Sequence, residues 1–421
     1  MTKPGYKMTE IGEIPEEWSI CKFSEIAETV KGSVPKDKSN DEEGIKMYPY
    51  LSADYLRDNK KKTQYFKIDN RKTNQIVNMN EIILIWDGSN AGEFFIGKEG
   101  ILSSTMVKLV FKDLSVMPKF AYYYMKTKEG TLKNTVKGST IPHISEDSLL
   151  NLNILLPPMK EQQKIAEILS TADGTIQKVN EEITLTEKLK KGLMQILLTK
   201  GIGHTKFKMT EIGEIPEEWN LKCISECTLA TNTIDPSSIF GNFHFHYIDV
   251  SAISSVNLEI VETKEVQGII APSRARKGVK EDDVIFATVR PYLKRVAIVP
   301  KYLDGSVCST AFCVARADRK FVLPRFLYYY MTLDKFVNRV SGGQTGSAYP
   351  AVSDYQVMSE RIAIPELGEQ QKISEILTTV DNKLKLLGIK KTYLERIKKG
   401  LMNDLLTGKI RVNINTSEGE N

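Results

Sequence analysis

The sequence has few of the residues that mark a secreted, metal-binding or membrane protein. Five cysteines and four histidines occur among 421 residues, and no two cysteines form a C-x-x-C pair. Neither a disulfide framework nor a zinc ribbon is therefore indicated. No apolar run approaches the roughly 18–20 residues that cross a bilayer, and the start MTKPGYK has no apolar signal region. These absences predict a cytoplasmic protein.

A strong excess of one sign of charge is also missing. The 58 Lys and Arg residues face 53 Asp and Glu residues, which leaves a net charge of +5. This balance allows nucleic-acid binding without indicating it. The composition, 41% hydrophobic and 26% charged, is typical of a folded globular protein. At roughly 100–200 residues per domain, the length predicts two to four domains.

The chain does contain a long internal repeat. Residues 7–18 read KMTEIGEIPEEW, and the same twelve letters return at residues 208–219. Residues 161–169 (EQQKIAEIL) return at residues 369–377 as EQQKISEIL, 208 positions later. A period of this length is too long for a solenoid and indicates a duplicated module. Shorter matches are FAYYYMKT with FLYYYMTL, GSTIPHIS with GSAYPAVS, and KKGLM-x-x-LLT in both copies.

The first part of each module mixes short β-type runs with turn residues. Runs at residues 81–86, 106–111, 283–288 and 295–299 are rich in Ile, Val and Phe and are bounded by Asp, Gly or Pro. Helical patterns are interspersed among them. These bodies, as we call them, are predicted to be α+β.

The second part of each module is a long helix with one narrow apolar stripe. The apolar positions alternate in steps of four and three, and the two stripes share one register. A stripe over about 40 residues cannot be buried by its own helix, so we expect an antiparallel coiled coil of the two helices, about 60 Å long. The stripe is interrupted at Thr186, Lys190, Lys391 and Lys398. The predicted seam consists of Ile165, Leu169, Ala172, Ile176, Val179, Ile183, Ile373, Leu377, Val380, Leu384, Leu387 and Leu394.

Three motifs recur in both modules: GEIPEEW before each body, P-x-x-x-EQQKI-x-EIL at each helix start, and KKGLM-x-x-LLT at its end. On these motifs the chain resembles the specificity subunit of a type I restriction-modification system. The resemblance implies two α/β target recognition domains in tandem, separated by two long helices that form an antiparallel coiled coil. The implied domains are recognition domain 1 (residues 1–156), helical spacer 1 (157–203), recognition domain 2 (204–364), helical spacer 2 (365–408) and a polar C-terminal tail (409–421).

The resemblance also implies the function and the partners. Such a subunit is not an enzyme: it binds double-stranded DNA and reads a bipartite asymmetric site, one half with each body. Two methyltransferase subunits dock on the spacers, and restriction (translocase) subunits join them. S-adenosylmethionine, ATP and Mg²⁺ are expected on those partners, and no cofactor on this chain. A pseudo-two-fold protein with two different bodies suits an asymmetric site.

The two ends of the sequence look like the junction between the modules cut open. The stretch LLTKGIGHTKFKMTE joins the first helix to the second body, while LLTGKIRVN and TKPGYKMTE lie at the two ends. We therefore expect the termini to lie close together, with residues 411–421 frayed.

Base-edge contacts are expected from side chains on loops between the β runs. In the first body the candidates are Trp86, Ser89, Asn90, Ser139, Thr140 and His143; in the second they are Arg290, Tyr292, Lys294, Gln344, Thr345, Ser347 and Tyr349. Phosphate contacts are expected from two basic runs, Lys60, Lys61 and Lys62, and Arg274, Arg276 and Lys277. The alternatives are a solvated face for the basic runs and a shared structural turn for GSTIPHIS and GSAYPAVS.

Each candidate catalytic or metal-binding motif lacks residues that its chemistry requires. Residues 92–98 spell G-x-x-x-x-G-K, but Glu99 replaces the Ser or Thr of a phosphate-binding loop. His244 and His246 alternate and would share one face of a strand, but no Cys or carboxylate cluster adjoins them. Two rival functions remain open: an enzyme with two diverged active sites, and a coiled-coil adaptor that does not bind DNA.

Overall fold

A computed structural model describes residues 2–35, 47–58, 60–67, 75–112, 115–136, 142–255, 257–342 and 350–413. Backbone contacts divide the chain into two compact units. Unit 1 consists of Met1–Asn180 and Ile389–Asn421, and unit 2 of Glu181–Gly388. Each unit thus contains one body and a part of both long helices. No helix in the described ranges is long and apolar enough to cross a membrane.

Unit 1 begins with a body of twelve short strands and four helices. Its strands are β1 (Tyr6–Thr9), β2 (Gly12–Pro15), β3 (Ser19–Lys22), β4 (Ala27–Lys31), β5 (Tyr48–Leu51), β6 (Tyr65–Phe66), β7 (Ile76–Val77), β8 (Ile82–Ile85), β9 (Phe94–Ile96), β10 (Gly100–Leu102), β11 (Met106–Phe111) and β12 (Asn153–Leu156) among the described residues. Its helices there are α1 (Phe23–Ile26), α2 (Ala53–Arg57), α3 (Pro118–Lys133) and α4 (Glu146–Leu150). The long helix α5 (Met159–Leu197) follows and continues into unit 2.

Unit 2 repeats this plan. Its strands are β13 (Phe207–Thr210), β14 (Gly213–Pro216), β15 (Asn220–Cys223), β16 (Thr228–Leu229), β17 (His244–Ile248), β18 (Lys264–Gln267), β19 (Ala275–Gly278), β20 (Val284–Ala287), β21 (Val296–Ile298), β22 (Val307–Ser309), β23 (Phe312–Ala317) and β24 (Arg361–Ile364). Its helices are α6 (Pro236–Phe240), α7 (Pro324–Thr332), α8 (Asp334–Gly342) and α9 (Asp354–Ser359), with short 3₁₀ turns between strands. The long helix α10 (Leu367–Leu405) returns to unit 1.

Each body contains two four-stranded sheets with the same strand order. The orders are β4-β11-β8-β9 and β6-β5-β10-β7 in unit 1, and β16-β23-β20-β21 and β18-β17-β22-β19 in unit 2. Every strand of the first body therefore has its counterpart twelve strands later. The pairs β5–β10 and β17–β22 are parallel, and the other pairs among the described strands are antiparallel. The predicted α+β fold with tandem bodies is confirmed.

The central strands β8 and β20 are buried on both faces, which explains their unbroken apolar sequences. In β8, Ile82 and Leu84 join one core cluster with α3, while Ile83 and Ile85 join a second cluster between the sheets. Strand β20 alternates in the same way between two clusters. Because successive side chains of a strand point to opposite faces, a strand covered on both sides must be apolar throughout.

Both bodies contain an ion pair between the acidic residue just before the central strand and a base on the neighbouring strand, and in the second body the base lies two positions further along that strand. In the first body, the ammonium of Lys108 on β11 lies 3.3 Å from the Glu81 carboxylate. In the second, Arg316 on β23 donates two hydrogen bonds to Asp283, at 2.8 and 2.7 Å. Lys108 and Asp283 are buried. The two bodies thus share an architecture that their sequences no longer display.

The long helices α5 and α10 pack together in antiparallel fashion, as the seam pattern predicts. In unit 1, Lys398 on α10 pairs with Asp173 on α5 at 2.5 Å. In unit 2, Lys190 on α5 pairs with Asp381 on α10 at 2.6 Å. These pairs are equivalent under the 208-residue repeat. Two of the residues that interrupt the apolar stripe therefore have acidic partners on the facing helix. None of the twelve predicted seam residues is exposed, and six of them are buried.

The recurring EQQ sequence joins each body to its helix. In unit 1, Gln162 is fully buried, and its amide oxygen accepts the backbone N–H of Met117 at 2.9 Å. Its amide nitrogen donates to the backbone oxygens of Ser115 (2.8 Å) and Pro157 (2.9 Å). Gln370 makes the equivalent three bonds in unit 2. A buried amide with all these bonds holds the start of α3, and in the second copy the start of α7, against the long helix.

The glutamate of the same motif anchors the tryptophan of GEIPEEW. Trp18 is buried, and its indole N–H donates to Glu161 at 2.9 Å. In unit 2, Trp219 donates to Glu369 at 3.0 Å. Two motifs that lie about 150 positions apart in sequence therefore form one joint in each unit.

The expected proximity of the two ends of the sequence is found within unit 1. The Tyr6 hydroxyl donates to the Gly408 carbonyl at 2.8 Å. The prediction of a frayed tail from residue 411 is wrong at Arg411, whose guanidinium bonds Glu161 at 2.7 Å and Glu17 at 2.6 Å. Burial of the Glu161 carboxylate requires a cation of this kind. Residues 414–421 lie outside the described ranges.

Candidate nucleic-acid interface

Loop A, residues 86–92, follows β8 and carries three of the predicted base-contacting residues. Trp86 is half-buried and packs against the body core, whereas Ser89 and Asn90 are exposed. The Trp86 ring therefore anchors loop A to the core of the body. The two polar side chains present a hydroxyl and an amide to the solvent, which are groups that can bond base edges or phosphates.

A second segment lies directly beside loop A and brings His143 to it. Asp87 forms an antiparallel bridge with His143, and the Gly88 N–H donates to the Pro142 carbonyl at 2.8 Å. Gly88 has a φ of +104°, a conformation that requires glycine. Leaving aside the basic run Lys60–Lys62, the candidates of the first body that the structure describes lie together in one exposed patch: Trp86, Ser89, Asn90 and His143.

Loop B, residues 288–294, occupies the same place in the second body, after β20. It contains the 3₁₀ turn Pro291–Leu293, flanked by Arg290 and Lys294 with φ values of 50° and 51°. Left-handed conformations at two residues other than glycine are costly and are retained mainly at functional sites. The Tyr292 side chain between them is half-exposed. Loop B therefore presents a cation and an aromatic ring where loop A presents a hydroxyl and an amide.

Loop B is also flanked by the segment that corresponds to the one beside loop A. Val289 forms an antiparallel bridge with Ala351, and the Arg290 N–H donates to the Pro350 carbonyl at 2.8 Å. The two loops thus have the same supports and different side chains. The remaining candidates, Ser139, Thr140, Gln344, Thr345, Ser347 and Tyr349, lie outside the described residues and stay predictions.

Intramolecular contacts between charged side chains hold loops A and B in place. In loop A, Asp87 accepts a hydrogen bond from Lys31 at 3.1 Å. In loop B, Lys294 pairs with Asp334, and this hydrogen bond lowers the pKa of the Asp334 carboxyl below its ordinary value. Lys31 is a cation at the candidate interface that the sequence analysis missed. It lies on β4, and only the sheet order β4-β11-β8 brings it to loop A.

The basic run of the second body is partly occupied by intramolecular ion pairs. Arg276 donates to Asp235 at 2.5 Å, and bonds from Ser237, Ser238 and Arg276 lower the pKa of Asp235 to about 2. Lys277 pairs with Asp354. Arg276 and Lys277 therefore support the loops around β19, and phosphate contact by either would compete with a carboxylate.

Other members of the basic runs are free to meet solvent. The side chain of Arg274 is exposed and makes no ion pair within the described ranges. Lys60, Lys61 and Lys62 are all exposed just after α2. These four cations suit phosphate contact, which positions a protein on DNA without reading its sequence.

The weaker motifs do not form sites in the described part of the chain. Residues 94–96 of the G-x-x-x-x-G-K stretch form strand β9 rather than a loop before a helix. His246 contacts the Thr263 hydroxyl at 3.1 Å, and no cluster of three or more His, Cys, Asp or Glu side chains is found among the described residues.

Residues 15–187 and 216–396 match the family described as "Type I restriction modification DNA specificity domain". The chain belongs to this family. The specificity subunit of type I restriction enzyme MjaVIII from Methanocaldococcus jannaschii is 35% identical over 413 residues, which cover 95% of this chain and 94% of the relative. The putative MjaX specificity subunit from the same organism is 28% identical over 431 residues and covers 97% of each chain.

A solved structure supports the fold across both units. The S subunit of a type I restriction-modification system from M. genitalium aligns with 96% of this chain and 99% of its own length, with a TM-score of 0.57 and 17% identity. The family model and the two relatives place the chain among type I restriction-modification specificity subunits. Its family is one of specificity subunits and not of catalytic subunits.

Proposed function

We propose that the chain reads a bipartite asymmetric DNA sequence, one half-site with each body. The observation that carries this proposal is the equivalence of loops A and B. They follow equivalent strands and rest on equivalent bridges at Asp87 and Val289, yet their exposed side chains differ. Loops kept in place while their chemistry diverges suit two ligands of one kind that differ in detail, as two half-sites do.

The side chains of each loop supply distinct kinds of readout. Asn90 can bond adenine through its amide, and Ser89 and His143 can each donate or accept at a base edge. In loop B, the Arg290 guanidinium suits the two acceptors of guanine, each good bidentate contact being worth roughly 1–3 kcal/mol of discrimination. The exposed cations Arg274 and Lys60–Lys62 would bind phosphates, whereas Lys31 is paired with Asp87.

We further propose that the long helices dock two methyltransferase subunits. Large apolar side chains stand exposed at equivalent positions of both helices: Leu185 and Leu189 on α5, and Tyr393 and Ile397 on α10. Each pair is one helical turn apart and so forms one apolar spot per helix. Restriction subunits would join this assembly. S-adenosylmethionine, ATP and Mg²⁺ would be bound by the partners and no cofactor by this chain.

A body exchange tests the reading function. Residues 204–364 would be replaced by the corresponding residues of the MjaVIII relative, and methylated adenines would be mapped in DNA exposed to the chimera with methyltransferase. We expect one half of the recognised sequence to change and the other to persist. The matched exchange of residues 1–156 should change the other half. Methyl transfer by the chain alone, or an unchanged site in both chimeras, would contradict the proposal.

A second experiment tests docking on the helices. The double variant Leu185→Lys, Leu189→Lys should bind methyltransferase at least tenfold more weakly at one of its two sites, because burying a leucine contributes about 1.5–3 kcal/mol. The control Lys188→Gln changes an exposed neighbour and should bind normally. Equal affinity of both variants would place the docking surface elsewhere.

A further inference from the structure

The hairpins β1–β2 and β13–β14 carry an identity that packing does not fully explain. Residues 7–18 and 208–219 are the same at all twelve positions, whereas loops A and B share almost nothing. The duplication allows the two copies to be compared with each other. Residues that are the same in both copies are expected to serve a purpose that both copies share.

Most of the twelve have a role within their own unit. In the first copy, Ile14 and Trp18 are buried in the core. The Thr9 hydroxyl closes the turn by donating to the Gly12 carbonyl at 2.7 Å, and the Lys7 ammonium donates to the Glu16 carbonyl at 2.8 Å. The second copy repeats each of these contacts 201 residues later. Identity at these positions follows from structure.

Met8 and Met209 occupy the apolar position that is exposed in both copies; Ile11 is 42% exposed, but its counterpart Ile212 packs against the core. Their side chains are 68% and 79% exposed, and neither belongs to a core cluster of the described residues. A large apolar side chain that points to solvent contributes nothing to folding, and a single one needs no explanation. Two at the same position of an otherwise structurally constrained motif do need one.

The register of the first hairpin shows what surface Met8 extends. Tyr6 pairs with Pro15, and Met8 pairs with Glu13, so these four side chains share one face. The end of that face at Tyr6 is covered, because the Tyr6 hydroxyl bonds Gly408. At Met8 the same face continues uncovered toward the hairpin turn. Met8 therefore lies at the exposed end of a face whose other end is packed against the chain itself.

From this placement we propose that Met8 and Met209 each insert into an apolar pocket of a methyltransferase subunit, one copy of that subunit on each hairpin. The inference rests on the proposed function, which supplies two identical partners. Identical hairpins suit identical ligands, while two half-sites of an asymmetric DNA sequence differ. Methionine suits this role because its unbranched, polarisable side chain adapts to a pocket.

The charge of the hairpin favours a protein partner over DNA. Residues 7–18 contain four glutamates and one lysine, and Glu13 lies directly across from Met8. Ion pairs neutralise part of this charge, since Glu17 meets Arg411 and Glu214 of the second hairpin meets Lys200. The carboxylates that remain, Glu13 among them, disfavour phosphate contact. The complementary pocket should therefore be apolar, with Lys or Arg side chains at its rim.

The test uses the full chain and the purified methyltransferase subunit, without DNA. Titration calorimetry would compare the wild type with Met8→Ser, Met209→Ser and the double variant. Each single change should weaken one of two sites about tenfold, which corresponds to about 1.4 kcal/mol, and the double change should weaken both. The controls Val34→Ser and Ile239→Ser remove exposed aliphatic side chains of the bodies and should bind normally.

The outcomes separate this inference from the proposed function. Unchanged binding of two methyltransferase subunits by the double variant would overturn the hairpin docking while leaving the helix docking intact. Normal subunit binding combined with weaker DNA binding of the assembled complex would show that the hairpins face DNA, and would also overturn it. Failure of the wild type to bind any methyltransferase subunit would overturn the proposed function itself. Because both methionines are exposed, all variants should retain the wild-type unfolding temperature.

Discussion

Arg411 donates through Nε to the carboxylate of Glu161 at 2.7 Å, across 250 positions of sequence. Glu161 is buried and also accepts the Trp18 indole N–H. In unit 2 the equivalent carboxylate, Glu369, meets His204 Nε2 at 3.0 Å. The same joint is therefore closed by an arginine in one copy and by a histidine in the other. The carboxylates hold the pKa of the Arg411 guanidinium above its usual range.

We expect Arg411→Met to destabilise unit 1. Removing the guanidinium leaves Glu161 buried with the indole as its remaining partner. Breaking a fully buried pair costs roughly 3–5 kcal/mol; because about a third of the Arg411 side chain is exposed, we expect about 2 kcal/mol. Urea unfolding followed by hydrogen exchange of β1 and β2 measures it. Lys409→Met, a neighbouring exposed cation, is the control, and equal stability of the two variants would refute the structural role.

The two adjacent glutamines of the EQQ motif provide a matched pair of variants. Gln162→Leu leaves two backbone oxygens and one backbone N–H without their bonds, each at a cost of about 1–3 kcal/mol. Gln163→Leu removes only an exposed contact to Glu167. Thermal unfolding should show a loss of several degrees for the first variant and little change for the second. Similar losses for both would contradict the assignment of Gln162 as the joint.

Loop B should specify one half of the DNA site. We expect Arg290→Ala to relax the base preference at one position of a single half-site, at a cost of roughly 1–3 kcal/mol. Arg274→Ala should weaken binding equally for all DNA sequences. It should also reduce the slope of log K against log salt concentration by about one, which corresponds to the loss of one phosphate contact. Methylation mapping and salt titration of the assembled complex distinguish the two. A uniform loss for Arg290→Ala would assign that residue to phosphate contact.

The Lys294–Asp334 pair makes the order of loop B depend on pH. The pKa of Asp334 in the folded chain lies below its usual 3.8, so the pair contributes its full stability above about pH 4. That contribution is lost as the pH falls through the lowered folded value. The protection of residues 288–294 against hydrogen exchange, measured relative to the intrinsic exchange rate at each pH, should therefore fall below pH 4 in the wild type. Lys294→Met should show low protection at every pH, and a wild type whose protection does not fall in acid would refute this role of the Lys294–Asp334 pair.

The sequence predicted the elements that depend on local pattern. The run 106–111 coincides with β11, and the runs at 81–86 and 283–288 contain β8 and β20. Both long helices were placed by their apolar spacing, since one stripe of 3–4 steps needs a facing helix. A strongly periodic pattern therefore predicts its helix or strand without knowledge of tertiary contacts.

Contacts between distant backbone groups could not be predicted. The partners of Gln162 are main-chain atoms 45 and 47 positions away, and any residue could provide them. Lys31 reaches loop A only because β4 and β8 both pair with β11. At the candidate interface the loop positions of Ser89, Asn90 and Tyr292 followed from the sequence. The intramolecular partners of Arg276 and Lys277 did not, because they depend on how sheet and loops meet.

The division of the chain into units has a consequence for biosynthesis. Unit 2 is one uninterrupted stretch, residues 181–388, whereas unit 1 requires residues 389–421 as well as residues 1–180. During synthesis from the N-terminus, unit 2 is fully available to fold first, although it lies second in sequence. Until the ribosome has released the segment that contains Arg411, Trp18 and Glu161 lack this cation, and the fold of the first body is incomplete. Slow or interrupted translation of that segment should leave the first body exposed to chaperones and proteases while the second is already complete.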